Sequence, residues 1–166
     1  MKTIFLILVL NTFMLFTACG QHPTELGSNE AIPTDMKKTD AYWKDKLSAE
    51  SFRILRQQGT EYPHTGAYNL HFEEGTYRCM ACKEPLFASG SKFKSDCGWP
   101  SFDASIEGKV RYERDSTLGM VRTEIICNTC DGHLGHVFND GPTATGVRYC
   151  VNSVALDFNS DDKKEK

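Results

Sequence analysis

Val147-Arg148-Tyr149-Cys150-Val151-Asn152-Ser153 alternates apolar and polar side chains along its length. Successive side chains of a β-strand point to opposite faces, so this spacing predicts Val147, Tyr149 and Val151 facing a core. Arg148, Cys150 and Asn152 then share the other face. The same grain extends in both directions. Val110 to Tyr112, Met120 to Ile126 and Val147 to Phe158 are strand candidates, and Tyr77, Phe87 and Phe93 sit in similar short runs punctuated by Gly, Asp, Asn and Ser. Parallel strands need amphipathic crossover helices, and after Gln58 the sequence offers none. The chain therefore reads as mainly β and mostly antiparallel, opened by two short helices. In the second helix Ser48 is the expected N-cap, Leu47 and Phe52 occupy the staple positions, and Gly59 stands where a left-handed C-terminal residue would. Phe52 and Leu55 share one of its faces.

The full chain of 166 residues suits one compact domain once a leader is set aside. Its 40% hydrophobic and 25% charged residues are those of a soluble globular protein. A net charge of −3 with dispersed positive residues gives no basic stripe for a phosphate backbone, so nucleic acid is not an expected partner. Lys2 precedes an apolar run from Ile4 to Phe16, interrupted only by Asn11 and Thr12, which reads as a signal peptide over residues 1–18. That run is short for a spanning helix, which needs about 20 apolar residues. Phe16-Thr17-Ala18-Cys19-Gly20 is similar to a bacterial lipobox, so Cys19 is the expected lipidation site; plain secretion with an incidental Cys19 is the alternative. Residues 19–38, with Pro23, Gly27, Ser28 and Pro33, read as a lipid-anchored flexible stalk, 39–159 as the folded domain and 160–166 as a polar tail. The expected address is the bacterial cell envelope: exported, with the domain in the periplasm or outside the cytoplasmic membrane, touching lipid only through the N-terminus.

Seven cysteines stand at 19, 79, 82, 97, 127, 130 and 150. Cys79-Met80-Ala81-Cys82 and Cys127-Asn128-Thr129-Cys130 are two C-x-x-C knuckles, each able to turn two thiolates to one side. Facing each other they would complete a tetrahedral four-sulfur site suited to Zn²⁺, with no open coordination position and hence a structural role. A framework of disulfides is the competing reading for an exported chain, and six cysteines allow fifteen pairings. Cys97 and Cys150 remain. Arg148, two residues from Cys150 on a strand, would favour the nucleophilic thiolate, although a buried inert thiol is the bland alternative.

His133-Leu134-Gly135-His136-Val137-Phe138 supplies two imidazoles that could donate or shuttle protons, hold a metal, or satisfy backbone groups, and Gly135 between them suggests a turn. Trp99 beside Pro100 could wall a small apolar group or simply fill a core. A zinc-ribbon-like binding module would account for the knuckles and leave Cys97, Cys150 and both histidines without a role. A general thiol oxidoreductase would be expected to use one C-x-x-C pair.

Taken together the motifs resemble the methionine-R-sulfoxide reductase B family, from about Tyr42 to Phe158. The resemblance is carried by Cys-Gly-Trp-Pro-Ser-Phe at 97 to 102, His-Leu-Gly-His-Val-Phe at 133 to 138, Asp140-Gly141-Pro142, Thr145-Gly146, and Arg148-Tyr149-Cys150-Val151-Asn152-Ser153. The knuckles and Cys97 match its zinc-bearing, two-cysteine form. The resemblance implies two antiparallel sheets in a tent-like arrangement, Cys150 as nucleophile and Cys97 as the thiol that closes a Cys97–Cys150 disulfide. It further implies that His133 and His136 serve the sulfoxide oxygen, that Trp99 holds the S-methyl group and Phe138 helps bind substrate, that Arg148 tunes Cys150, and that Asn152 orients the site. Oxidised proteins are the implied substrates and a thioredoxin-like dithiol the implied electron donor, serving repair of oxidised proteins.

Overall fold

A computed structural model describes residues 39–160. The expected signal peptide, Cys19, the stalk and residues 161–166 of the tail lie outside the described residues. Among the described residues no helix is long and apolar enough to cross a membrane.

Two short helices come first, α1 (Asp40–Lys46) and α2 (Ala49–Gln57). Ser48 caps α2 as its spacing predicts, its hydroxyl accepting the Ser51 N–H at 3.0 Å. The left-handed residue at the other end is Gln58, at φ 54, ψ 35, and not Gly59. Gly59 is needed for a different reason. Its N–H donates to the Arg53 carbonyl at 3.0 Å, and a Cβ there would meet that same carbonyl oxygen at 2.9 Å, too close for any side chain. The buried face of α2 carries Ile54 and Leu55 into the core, while Trp43 does the same for α1.

All strand pairings are antiparallel. The smaller sheet has the order β2-β1-β9, from β1 (Gly75–Cys79), β2 (Pro85–Ala88) and β9 (Leu156–Ser160). The larger has the order β3-β4-β8-β7-β6-β5. Its strands are β3 (Lys92–Phe93), β4 (Ser101–Phe102), β5 (Val110–Asp115), β6 (Arg122–Cys127), β7 (His133–Phe138) and β8 (Arg148–Val151). The expected mainly β architecture of two antiparallel sheets with short N-terminal helices is what the chain forms. Two details differ from the sequence reading. The run Val147 to Phe158 divides into β8 and β9, one in each sheet, because a 3-10 turn over Ser153–Ala155 interrupts it. Ser160, expected in the polar tail, extends β9 opposite Gly75, since backbone pairing is indifferent to side-chain polarity.

The core lies between these elements: Tyr77, Leu86, Phe87, Phe102, Ile125, Leu134, Val151 and Leu156 are all fully buried. Phe87 and Phe102 stack with centroids 4.4 Å apart, and Tyr77 meets Phe102 edge-on at 5.1 Å. These contacts join the two sheets. The chosen alternation of β8 holds, with Tyr149 and Val151 buried and Arg148 and Cys150 half-buried on the opposite side.

Candidate active site

Register builds the site. Ser101 on β4 stands opposite Cys150 on β8, Cys150 opposite His136 on β7, and His136 opposite Glu124 on β6, so four polar residues form one row across the larger sheet. Three residues apart on a regular strand, His133 and His136 would face opposite ways. The register between β6 and β7 shifts between Ile125 and Ile126, and this irregularity brings the two rings to 5.5 Å centroid separation. Gly135 does not make the turn its composition suggested. It lies within β7 at φ +152, where a Cβ would fall 2.1 Å from the Cys150 carbonyl oxygen. Only glycine lets β7 approach the nucleophile candidate's strand this closely.

Thr60, Trp99, Arg122, Gly135, His136, Phe138, Cys150 and Asn152 line a cleft of about 110 Å³. Cys97, on the loop before β4, reaches Cys150 with its Sγ 3.7 Å from the Cys150 Sγ. Its sulfur also lies 3.4 Å from the Ser101 hydroxyl and 3.5 Å from the Trp99 carbonyl. The hydrogen bond between the two sulfurs lets the pair give up a first proton below the ordinary thiol range, Cys97 being pulled down to about 4. The same bond, burial and the facing sulfur's charge hold Cys150 well above that range, because a second anion would be set against the first. Arg148 pulls Cys150 the other way, as its spacing predicts, but more weakly. Its guanidinium forks onto Asp140 at 2.8 Å through both Nε and Nη2, and stacks 4.5 Å from the Phe138 ring centroid.

Both imidazoles are held by carboxylates that the sequence did not single out. His133 Nδ1 pairs with Glu124 at 2.6 Å in a fully buried contact, and the Gln58 amide donates to the same carboxylate at 3.2 Å. His133 Nε2 is buried with no hydrogen-bond partner. His136 Nε2 pairs with Asp115 at 2.7 Å, and Arg122 donates to the same Asp115 oxygen at 2.6 Å. Burial pushes His136 below the usual imidazole range, with Asp115 opposing. Asn152 is buried at the end of β8. Its amide donates to the Leu134 carbonyl at 3.1 Å and accepts the Glu61 N–H at 3.0 Å, while the Glu61 carbonyl accepts the Trp99 indole N–H at 3.2 Å. Glu61, Asp115 and Glu124 escaped the sequence reading because each acts across the fold. The one local hint was Asp115 before Thr117, whose backbone and side chain both donate to it, a pattern typical of an Asx turn.

The two knuckles face each other as their spacing predicts. The ligand sulfurs of Cys79, Cys82, Cys127 and Cys130 all lie within 4.8 Å of one another, with Cys79–Cys130 and Cys82–Cys127 at 3.6 Å. A tetrahedral site with metal–sulfur bonds of about 2.3 Å has edges of about 3.8 Å, so the cluster could hold a metal ion of zinc's size. Both turns share one backbone pattern. Lys83 and Asp131 are left-handed, their N–H groups donate to Cys79 and Cys127 carbonyls at 2.9 and 3.0 Å, and the Cys79 and Cys127 N–H groups donate to Glu84 and Gly132 carbonyls at 2.8 and 2.9 Å. One knuckle follows β1 and the other follows β6, so the cluster ties a hairpin of the smaller sheet to one of the larger.

A family model described as the SelR domain matches residues 47–160. The peptide methionine sulfoxide reductase MsrB of Thiobacillus denitrificans is 55% identical over 132 residues, 79% of this chain and 100% of that protein. That of Teredinibacter turnerae is 54% identical over 125 residues, 75% of this chain and 93% of its own length. The solved Mis18 'Yippee-like' domain matches with a TM-score of 0.44 and 18% identity, covering 53% of this chain and 97% of that one. From the family model and these close relatives, the chain belongs to the methionine sulfoxide reductase B family, oxidoreductases that return methionine sulfoxide to methionine.

Proposed function

We propose that the chain reduces the R epimer of methionine sulfoxide, mainly within oxidised proteins, through Cys150 and Cys97. The observation that carries this reading is the 3.7 Å separation of their sulfurs at a cleft lined by Trp99, His136 and Phe138. With the pair's one remaining proton passed to Cys97 across the 3.7 Å contact, Cys150 carries the negative charge, and its thiolate attacks the sulfoxide sulfur as a proton reaches the oxygen. As the transient bond between the two sulfurs breaks, the hydroxyl passes from the substrate sulfur to Cys150, releasing methionine and leaving a Cys150 sulfenic acid, so sulfur of the substrate is reduced by two electrons and Cys150 oxidised by two. The Cys97 thiol then displaces that oxygen as water and forms the Cys97–Cys150 disulfide. An external thioredoxin-like dithiol reduces the disulfide by exchange and restores both thiols.

The flanking residues divide the work. Trp99 and Phe138 enclose the S-methyl group, and His136 with His133 supplies or positions the proton at the sulfoxide oxygen. Asn152 orients the wall of the cleft, and Arg148 draws Cys150 toward its anionic form. The thiolates of Cys79, Cys82, Cys127 and Cys130 would hold a structural Zn²⁺, which fixes the two hairpin turns and takes no part in the redox step. The envelope address and acylated Cys19 belong to the same proposal.

A single turnover with methionine R-sulfoxide tests the chemistry. Cys150→Ser is expected to release no methionine, and Cys97→Ser to release one equivalent without the disulfide. Equal activity of both variants would refute the assignment. Elemental analysis is expected to find about one zinc per chain, and mass spectrometry an acylated mature N-terminus at Cys19; a metal-free protein or a bare N-terminus would remove the corresponding claim.

A further inference from the structure

The cleft beside Cys150, at about 110 Å³, is of side-chain size, whereas sites that enclose a whole small ligand run to several hundred. A methionine sulfoxide within a polypeptide must therefore leave its neighbours on the surface around the mouth. One part of that rim is unusual. The β5–β6 connection presents Leu118 at 83%, Met120 at 48% and Val121 at 68% exposure, three large apolar side chains within four residues. Isolated exposed apolar residues need no explanation, but a contiguous group does.

The loop is also fixed to the site. Leu118 is held at φ 56, ψ 23, a left-handed conformation that costs a bulky residue energy and persists only where its surroundings impose it. The turn around it is tied at both ends: the Met120 N–H donates to the Thr117 carbonyl at 3.2 Å, and Asp115 Oδ1 accepts from the Thr117 N–H at 2.8 Å and hydroxyl at 2.6 Å, while Oδ2 holds His136 and Arg122. Leu118 borders the small cavity lined by His133 and His136. Val121 borders a shallow groove with Val137 and Phe138, and Phe138 and Arg122 belong to both this groove and the Cys150 cleft. Apolar loop, groove and reaction cleft thus form one continuous surface.

We propose that the Leu118–Val121 loop and the adjoining groove dock the polypeptide on either side of the oxidised methionine, and select an extended segment with apolar neighbours. The inference rests on the reading that protein-bound methionine sulfoxide is the substrate. Methionine is a core residue, and oxidation that makes its side chain polar opens the apolar surroundings in which it sat. A second copy of the chain seated on this surface would close the mouth of the reaction cleft, which favours the substrate as occupant.

The test compares N-acetyl-methionine R-sulfoxide with two heptapeptides carrying a central methionine R-sulfoxide, one flanked by Leu and Val and one by Ser and Gly. The full chain is assayed as wild type, as Leu118→Ser, and as the Met120→Ser/Val121→Ser pair. Wild type is expected to favour the apolar-flanked peptide over the Ser/Gly peptide by about tenfold in kcat/KM, the order that part-burial of large apolar side chains supplies. In each variant the ratio of kcat/KM for the apolar-flanked peptide to that for N-acetyl-methionine sulfoxide is expected to fall by about the same factor. Ratios unchanged within about twofold would overturn the proposal. So would sedimentation in which wild type self-associates and both variants do not, since the occupant would then be a second copy. Wild type inert toward both peptides and N-acetyl-methionine R-sulfoxide alike would instead remove the underlying substrate reading.

Discussion

Replacing Glu61 with Gln keeps the shape of the side chain and removes one acceptor from a buried cluster. The Glu61 carboxylate accepts the Ser153 N–H at 2.6 Å and the Val154 N–H at 3.0 Å, which open the 3-10 turn directly after the strand of Cys150. Burial raises its pKa above the ordinary carboxylate value while these two N–H groups oppose the rise. A Gln amide can accept only one of them and sets its own N–H groups against the other. One charged hydrogen bond weakens to a neutral one and one buried donor is left unpaired, together about 2–4 kcal/mol. The described domain spans residues 39–160, for which about 4 °C per kcal/mol is the expected scale, so the Tm should fall by about 8–16 °C. Function should fall with it in folded protein at 25 °C, because the Glu61 backbone holds both Asn152 and the Trp99 indole. Circular dichroism melts at pH 7 and steady-state kinetics read the two effects, with KM expected to rise more than kcat falls. A Tm drop below about 3 °C would refute the reasoning, since it would mean that both N–H groups find other acceptors at little cost.

Gly135→Ala is expected to destabilise the domain by more than about 2 kcal/mol in denaturant titration, because its Cβ would strike the Cys150 carbonyl oxygen at 2.1 Å and part β7 from β8. A smaller loss would mean that the two strands separate easily. Asp115 is held well below the usual carboxylate range, first by Thr117 and then by His136 and Arg122, so its contribution is present above the ordinary carboxylate pKa and lost only as pH falls through the depressed value. Being ionised, it raises His136 against burial; Asp115→Asn is therefore expected to move the alkaline limb of sulfenic acid formation to lower pH in rapid-quench profiles, and an unmoved limb would exclude that coupling. Cys79→Ser and Cys127→Ser are expected to lower the Tm and the metal content while folded protein still forms the Cys97–Cys150 disulfide; loss of that disulfide in folded protein would tie the knuckles to the redox step.

What could be read in the sequence were features carried by local spacing. Strand alternation across Arg148 to Val151, the cap at Ser48 and the two knuckles each depend on neighbours a few residues apart, and all three appear as expected. What could not be read depends on how strands are brought side by side. Asp115 and His136 are 21 residues apart, and Glu61 and Ser153 are 92 apart; nothing in either local stretch announces its partner. Gly135 was misread for the same reason. A glycine between histidines suggests a turn when only its own chain is considered, whereas the deciding fact is the backbone of β8 passing 2.1 Å from where its Cβ would be.

The six cysteines of the domain make the same point chemically. Cys79 and Cys130 stand 3.6 Å apart and Cys97 and Cys150 stand 3.7 Å apart, so separation alone does not assign them different work. Their surroundings do. Four sulfurs on two matching turns already have the spacing of a tetrahedron, and a metal would hold them without further movement. Cys97 and Cys150 form a pair of sulfurs rather than a cluster of four, and a disulfide of about 2.05 Å requires them to close by more than 1 Å. Cys150 is fixed within a strand paired on both sides, while Cys97 lies in the loop before the short β4. In the proposed cycle the closing motion therefore belongs to the Cys97 loop. Removing one residue between Phe93 and Cys97, ahead of Trp99, should leave methionine release intact and slow disulfide formation, and an equal slowing of both would place the motion in β8 instead.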